Sequence, residues 1–78
     1  METAFILIVS VTGFEYDVQE DLKNIPEVRE AFILYGIYDI IVQLEGESLG
    51  DLKEIIREIR QMQKVRSTLT MITYSYPL

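Results

Sequence analysis

The chain contains neither cysteine nor histidine. Without cysteine there is no disulfide, no thiolate metal site and no thiol nucleophile. Without histidine the commonest general base, the switch that titrates near neutrality and the commonest zinc ligand are all missing. Positive charge is scarce as well: 7 Lys and Arg stand against 13 Asp and Glu, a formal net charge of −6. The nearest approach to a basic cluster, Arg57, Arg60, Lys64 and Arg66, is broken by Glu58 and by apolar residues. Such a surface repels phosphate backbones and has no stripe of cations with which to release counterions. The same argument disfavours an anionic membrane surface. No hydrophobic run is long: the apolar stretch Ala4 to Val9 falls far short of the roughly 20 residues that cross a bilayer. It also lacks a basic leader and a small-residue cleavage pattern. The expectation is a cytoplasmic protein that binds neither nucleic acid nor membrane directly.

What is present is apolar. The 78 residues suffice for one domain, and a chain this short buries only about 60% of the surface its unfolded form exposes. Yet 49% of the residues are hydrophobic and mean hydropathy is positive. That is more apolar material than one small core absorbs, so copies of the chain are expected to cover part of it.

Along the chain, Ala4 to Val11 is β-branched and aromatic, ends at Thr12-Gly13 and reads as a strand. Both of its alternating faces are apolar, which implies cover on both sides. Asp17-Val18-Gln19-Glu20 has the spacing of a capping box, with Val18, Leu22 and Ile25 following at helical intervals and Pro26 as a stop. Ala31 to Tyr35 reads as a second strand closed by Gly36, and Tyr38 to Glu45 as a third. In the third, Tyr38, Ile40, Val42 and Leu44 alternate with Asp39, Ile41, Gln43 and Glu45, the first series being assigned to the core and the second to an open face. A tight turn at Gly36-Ile37 joins these two strands as a hairpin.

Ser48-Leu49-Gly50-Asp51 resembles another capping box. Leu49, Leu52, Ile55, Ile56, Ile59 and Met62 then form one stripe, while Asp51, Lys53, Glu54, Arg57, Glu58 and Arg60 stay wet. The last strand runs from about Val65 to Tyr74, and Pro77 closes the chain. The order is βαββαβ. Right-handed crossovers turn it into an α+β, ferredoxin-like sandwich: an antiparallel four-stranded sheet with two helices on one face. The half-apolar face left open suggests a dimer formed sheet to sheet.

Catalysis finds little support. The remaining nucleophiles, Ser, Thr, Lys and Tyr, sit in no activating motif, and most carboxylates lie on helix faces or at caps. No glycine-rich loop suits a phosphate. Other uses of this topology lose their residues too. Metal carriers need paired cysteines, and RNA readers need aromatics in a basic sheet.

Two local patterns stand out. Gly36-Ile37-Tyr38-Asp39 opens the third strand, and its plain reading is a hairpin turn. Val65-Arg66-Ser67-Thr68-Leu69-Thr70-Met71-Ile72 is a threonine-rich strand of the kind that suits a pleat. Taken together, with Leu22-Lys23-Asn24-Ile25-Pro26-Glu27-Val28 between the apolar first strand and the turn, they resemble the effector-binding (RAM) domain of the Lrp/AsnC family of feast/famine transcription regulators. The likeness covers nearly the whole chain, and Met1 falls almost at the first strand. The resemblance therefore implies a single stand-alone domain over residues 1–78 without a helix-turn-helix.

It further implies a homo-oligomer: dimers through the sheets, assembled into octameric or decameric rings, with amino-acid effectors in clefts between dimers. The matching ligand-binding positions are Gly36, Tyr38, Asp39, Thr68 and Thr70, with no metal, no cofactor and no catalytic residue. A ligand ammonium suits the Asp39 carboxylate, and a ligand carboxylate suits N–H and hydroxyl donors. Full-length Lrp/AsnC regulators are the further partners implied, through co-assembly. Two positions depart from the family pattern: Ile37 where a polar or acidic residue is common, and Lys64 where glycine is usual before the last strand. The competing readings are a purely structural assembly domain and an ACT-like regulatory domain, which shares the element order.

Overall fold

A computed structural model describes residues 1–74. In chain order it contains β1 (Glu2–Ser10), α1 (Glu15–Lys23), β2 (Val28–Ile33), β3 (Ile40–Gly46), α2 (Leu49–Arg60) and β4 (Val65–Ile72). The four strands make one antiparallel sheet in the spatial order β2-β3-β1-β4. The βαββαβ order and open antiparallel sheet are those expected from the residue pattern.

Alternation along the strands decides which side chains meet the helices. On β1, Ala4, Ile6 and Ile8 point inward and lose all contact with solvent, as do Ile40, Val42 and Leu44 on β3. They pack against Val18 and Leu22 of α1, Ile25 beyond it, and Leu52, Ile56 and Ile59 of α2. Each large aliphatic side chain buried this way stabilises the fold by about 1.5–3 kcal/mol. Helix α2 begins where the sequence signals it: the Ser48 Oγ accepts the Asp51 N–H at 3.2 Å, an N-cap bond.

Several boundaries differ from expectation. The Asp17–Glu20 box is not used, because α1 starts earlier, at Glu15 behind Phe14, with no side-chain cap. Asp17 instead lies in the first turn, where its negative charge favours the helix N-terminus. Strand β2 starts three residues sooner than Ala31 and ends at Ile33 rather than Tyr35. The connection to β3 is therefore a loop over residues 34–39 and not a tight turn, and Tyr38 and Asp39 precede the strand. Leu49 falls outside the buried stripe at 45% exposure, because it opens α2 beyond the reach of the sheet. Strand β4 ends at Ile72, so Tyr74 lies past it, and Pro77 lies outside the described residues. Lys64 does not strain the helix exit: the α2 C-cap, Gln61, is right-handed, and no non-glycine residue described has positive φ. The Lys64 ammonium sits 4.2 Å over the Phe14 ring, joining the two helix–strand corners through a cation–π contact.

Candidate functional site

The β2–β3 loop is held at its base by backbone bonds. The Leu34 N–H donates to the Asp39 carbonyl at 2.7 Å, and the Asp39 N–H donates to the Ile8 carbonyl on β1 at 2.8 Å. At the tip, Gly36 has φ +137°, a conformation that costs an L side chain several times what it costs glycine. Nothing lies within 4 Å of where its Cβ would be, so conformation and not crowding is what requires the glycine. Tyr35 is fully exposed, Ile37 is 88% exposed, and Tyr38 is half-buried. The loop thus lifts an apolar tip into solvent above a closed base.

Asp39 is the hinge point of this arrangement. It was expected on the open face beside Ile41, Gln43 and Glu45, but it precedes the β3 ladder and its carboxylate turns to the end of β1. Oδ2 accepts the Ser10 N–H at 2.8 Å and the Ser10 hydroxyl at 3.3 Å. Ser10 is 3% exposed and is the buried polar residue of the helix-facing series that begins Ala4, Ile6, Ile8. Sequence reasoning missed it, although a lone hydroxyl in an inward strand slot was the available signal. The β1–β3 pairing ends at Ile8↔Ile40, and two residues further along β1 the Ser10 N–H points to the same side as the Ile8 carbonyl that accepts from Asp39, which brings it to the Asp39 carboxylate.

Thr68 and Thr70 lie on edge strand β4, opposite Ile8 and Ile6 respectively. They are half-buried and face the helix layer. Strand β1 separates them from β3, which puts their backbone roughly 10 Å from that of the β3 ladder at two strand spacings. Within one subunit, then, Gly36, Tyr38 and Asp39 share a loop, while the two threonines form a separate half-buried edge.

The other side of the sheet is a different surface. Across it runs one apolar row, Phe32, Ile41, Leu7 and Leu69, with one residue from each strand. The neighbouring row, Glu30, Gln43, Phe5 and Met71, is polar toward β2 and apolar toward β4. Between them lies a hollow of about 70 Å³ lined by Phe5, Glu30, Phe32, Ile41 and Gln43. Gly36, Tyr38, Asp39, Thr68 and Thr70 take no part in its lining, and it is far smaller than the usual small-molecule pocket. Phe32, Leu69 and Met71 remain 55%, 47% and 45% exposed, a contiguous apolar patch that no helix covers. At its corner, Arg29 and Glu45 form an ion pair at 2.6 Å.

Among the described residues no group of three or more Asp and Glu is arranged to hold a metal ion, and no helix is long and apolar enough to cross a membrane.

Comparisons with known proteins agree with this fold. The family model described as "Lrp/AsnC ligand binding domain" matches residues 3–77. The solved structure of FFRP-DM1 superposes with a TM-score of 0.91 at 48% identity, covering 95% of this chain and 100% of that one. A hypothetical protein of Pyrococcus horikoshii gives 0.91 at 47% identity, covering 97% and 93%. Escherichia coli AsnC gives 0.87 at 25% identity, covering 99% of this chain but 53% of that one. Among curated proteins, the homocitrate synthase of Sulfurisphaera tokodaii is 40% identical over 55 residues, 70% of this chain and 12% of the enzyme. The chain thus spans about an eighth of the length of the curated relatives it matches, here 12%.

Proposed function

The chain belongs to the Lrp/AsnC ligand binding domain family, and on that premise we propose that it is an oligomeric regulatory module that binds an amino acid. The observation that carries the reading is the split of polar groups over two surfaces of one subunit. The loop presents a carboxylate, Asp39, beside a glycine backbone and the Tyr38 ring. The β4 edge presents the hydroxyls of Thr68 and Thr70. A zwitterion needs both kinds of partner at once, and a seam where the loop of one subunit meets the β4 edge of another supplies them. The α-ammonium then goes to Asp39, and the α-carboxylate to threonine hydroxyls and loop N–H groups.

The apolar row on the open face is the surface on which two copies pair. A patch this apolar in a chain of net charge −6 is stabilised by removal from water, and an isologous pairing of sheets closes it without leaving a new edge. Pairs joined through their loop tips, where Tyr35 and Ile37 stand in solvent, build the octameric or decameric ring. The module acts by itself as an amino-acid sensor, or it co-assembles with full-length Lrp/AsnC regulators and alters their DNA binding. With no basic surface of its own it leaves the DNA contact to such partners. The likeness to one segment of a homocitrate synthase supports a module that can be attached to different machinery and report on a small molecule there. A purely structural ring without a ligand is the competing reading.

One experiment separates the two. The twenty amino acids are screened at millimolar concentration by thermal shift, with oligomeric state followed by sedimentation velocity. A ligand at 100 times its dissociation constant adds about 2.7 kcal/mol, a rise of several degrees for a domain of this size. An assembled protein that responds to none of the twenty is a structural ring, and the sensor reading is then wrong.

A further inference from the structure

Asp39 is a candidate ligand contact, yet half of its carboxylate is already committed inside the chain. Oδ2 takes both Ser10 bonds, at 2.8 and 3.3 Å. Oδ1 has no hydrogen-bond partner among the described residues. Nor is any buried side-chain oxygen or nitrogen there without one, so Oδ1 reaches solvent. The backbone of Asp39 is committed too, with its N–H on Ile8 and its carbonyl on Leu34. Four bonds thus fix one half-buried residue, and a single acceptor is left free.

We propose that Ser10 is a positioning residue for the effector site: it pins one oxygen of Asp39 so that the other is presented, already oriented, to a cationic ligand group. The inference rests on the amino-acid reading above and deepens it. Its physical content is preorganisation. A free aspartate rotates about two side-chain bonds and must be ordered when a ligand arrives, which weakens binding by the entropy of each immobilised rotamer. Here the ordering is done at folding, by a hydroxyl and an N–H that are themselves fixed in the sheet. The N–H is available because it points to the β3 side of β1, beyond the last β1–β3 pair, Ile8↔Ile40, where no β3 carbonyl meets it. The hydroxyl is available because Ser10 stands in an inward slot that Ala4, Ile6 and Ile8 fill with hydrocarbon. A hydrocarbon there would leave Oδ2 with one bond in place of two.

The division of labour between the two oxygens makes the idea testable, because Asn separates them. In Asp39→Asn the amide oxygen still accepts from Ser10, while an NH₂ group replaces the outward acceptor and repels an ammonium. In Asp39→Ala both functions go. Ser10→Ala keeps the N–H bond and removes the hydroxyl.

The four proteins are compared by amide hydrogen exchange and by thermal shift against the twenty amino acids. Exchange at the Ser10 amide is expected to be slow in the wild type and in Asp39→Asn, and fast in Asp39→Ala, while the Leu34 amide, bonded to the Asp39 backbone carbonyl, stays protected in all of them. Whichever amino acids shift the wild type are expected to bind at least about tenfold more weakly to Asp39→Asn, the loss of one charge-assisted bond. Ser10→Ala is expected to weaken them less, by a few fold, with Ser10→Thr restoring the affinity. Equal Ser10 amide protection in the wild type and in Asp39→Ala overturns the pinning, whether or not any ligand binds. Unchanged affinity in Asp39→Asn overturns the presentation of Oδ1. A wild type that responds to no amino acid, with the exchange pattern as expected, refutes the sensor reading and the cation role of Oδ1 but leaves the pin in place.

Discussion

The two faces of this sheet are built from the same strands and have opposite fates. On β3, Ile40, Val42 and Leu44 are sealed beneath the helices, while their immediate neighbours Ile41, Gln43 and Glu45 stay half-buried on the other side. On β1 the contrast is between Ile6 and Ile8, with no exposure, and Phe5 and Leu7, which keep some. Residue type does not distinguish Ile40 from Ile41. Position in the pleat does, because successive side chains point to opposite faces and only one face has helices. The covered face therefore carries the stability of the chain, and the open face is the one proposed above to carry its associations.

That division can be tested by substitution, and the largest effect is expected in the covered face. Leu52→Ala removes a fully buried side chain and should cost about 2–5 kcal/mol. In a domain whose whole stability is on the order of 5 kcal/mol, urea denaturation should find it largely unfolded. Leu69→Asp on the open face should leave the circular dichroism spectrum of the subunit native while sedimentation shows the assembly dissociating. If Leu69→Asp unfolds the chain as Leu52→Ala does, the two faces are not separate in function.

Smaller effects sharpen the picture at the helix ends. Ser48→Ala should destabilise by about 1 kcal/mol, the usual worth of an N-cap side chain, read as a shift of the urea midpoint. Asp17→Ala should change stability by no more than about 0.5 kcal/mol, since Asp17 sits in the first turn and caps nothing. Equal losses for the two would mean that the caps are misplaced. The smallest effect belongs to Arg29 and Glu45, whose side chains are 55% and 27% exposed. A double-mutant cycle should return less than about 1 kcal/mol for the pair in the isolated subunit. A larger coupling in the assembled protein would place that corner inside an interface.

The helices and strands were legible because their apolar periods are clean. Val18 and Leu22 mark α1, with Ile25 just beyond it, Leu52, Ile56 and Ile59 mark α2, and the alternation of Val42 and Leu44 with Gln43 and Glu45 marks β3. What misled was local polar chemistry. Asp17 and Glu20 have the spacing of a capping box, but burial of Val18 and Leu22 sets the phase of α1, and the helix starts two residues before Asp17. Gly36-Ile37 has the composition of a two-residue turn. The chain prefers a longer loop there because Asp39 finds its partners on β1, 29 residues away in sequence. No window of neighbouring residues contains that information.

Composition and periodicity by themselves determined that this is a βαββαβ domain with one covered sheet face, with neither the thiols nor the imidazoles of common metal and catalytic sites and with nearly twice as many acidic as basic residues. Those properties depend on counts and on spacings of a few residues, which a linear chain displays directly. Only the tertiary structure decided that Ser10 holds Asp39, that Thr68 and Thr70 stand across β1 from the loop, and that Phe32, Ile41, Leu7 and Leu69 line up as one row. Each of these joins residues far apart in sequence through strand order and register, and register is settled when the whole sheet packs against its helices.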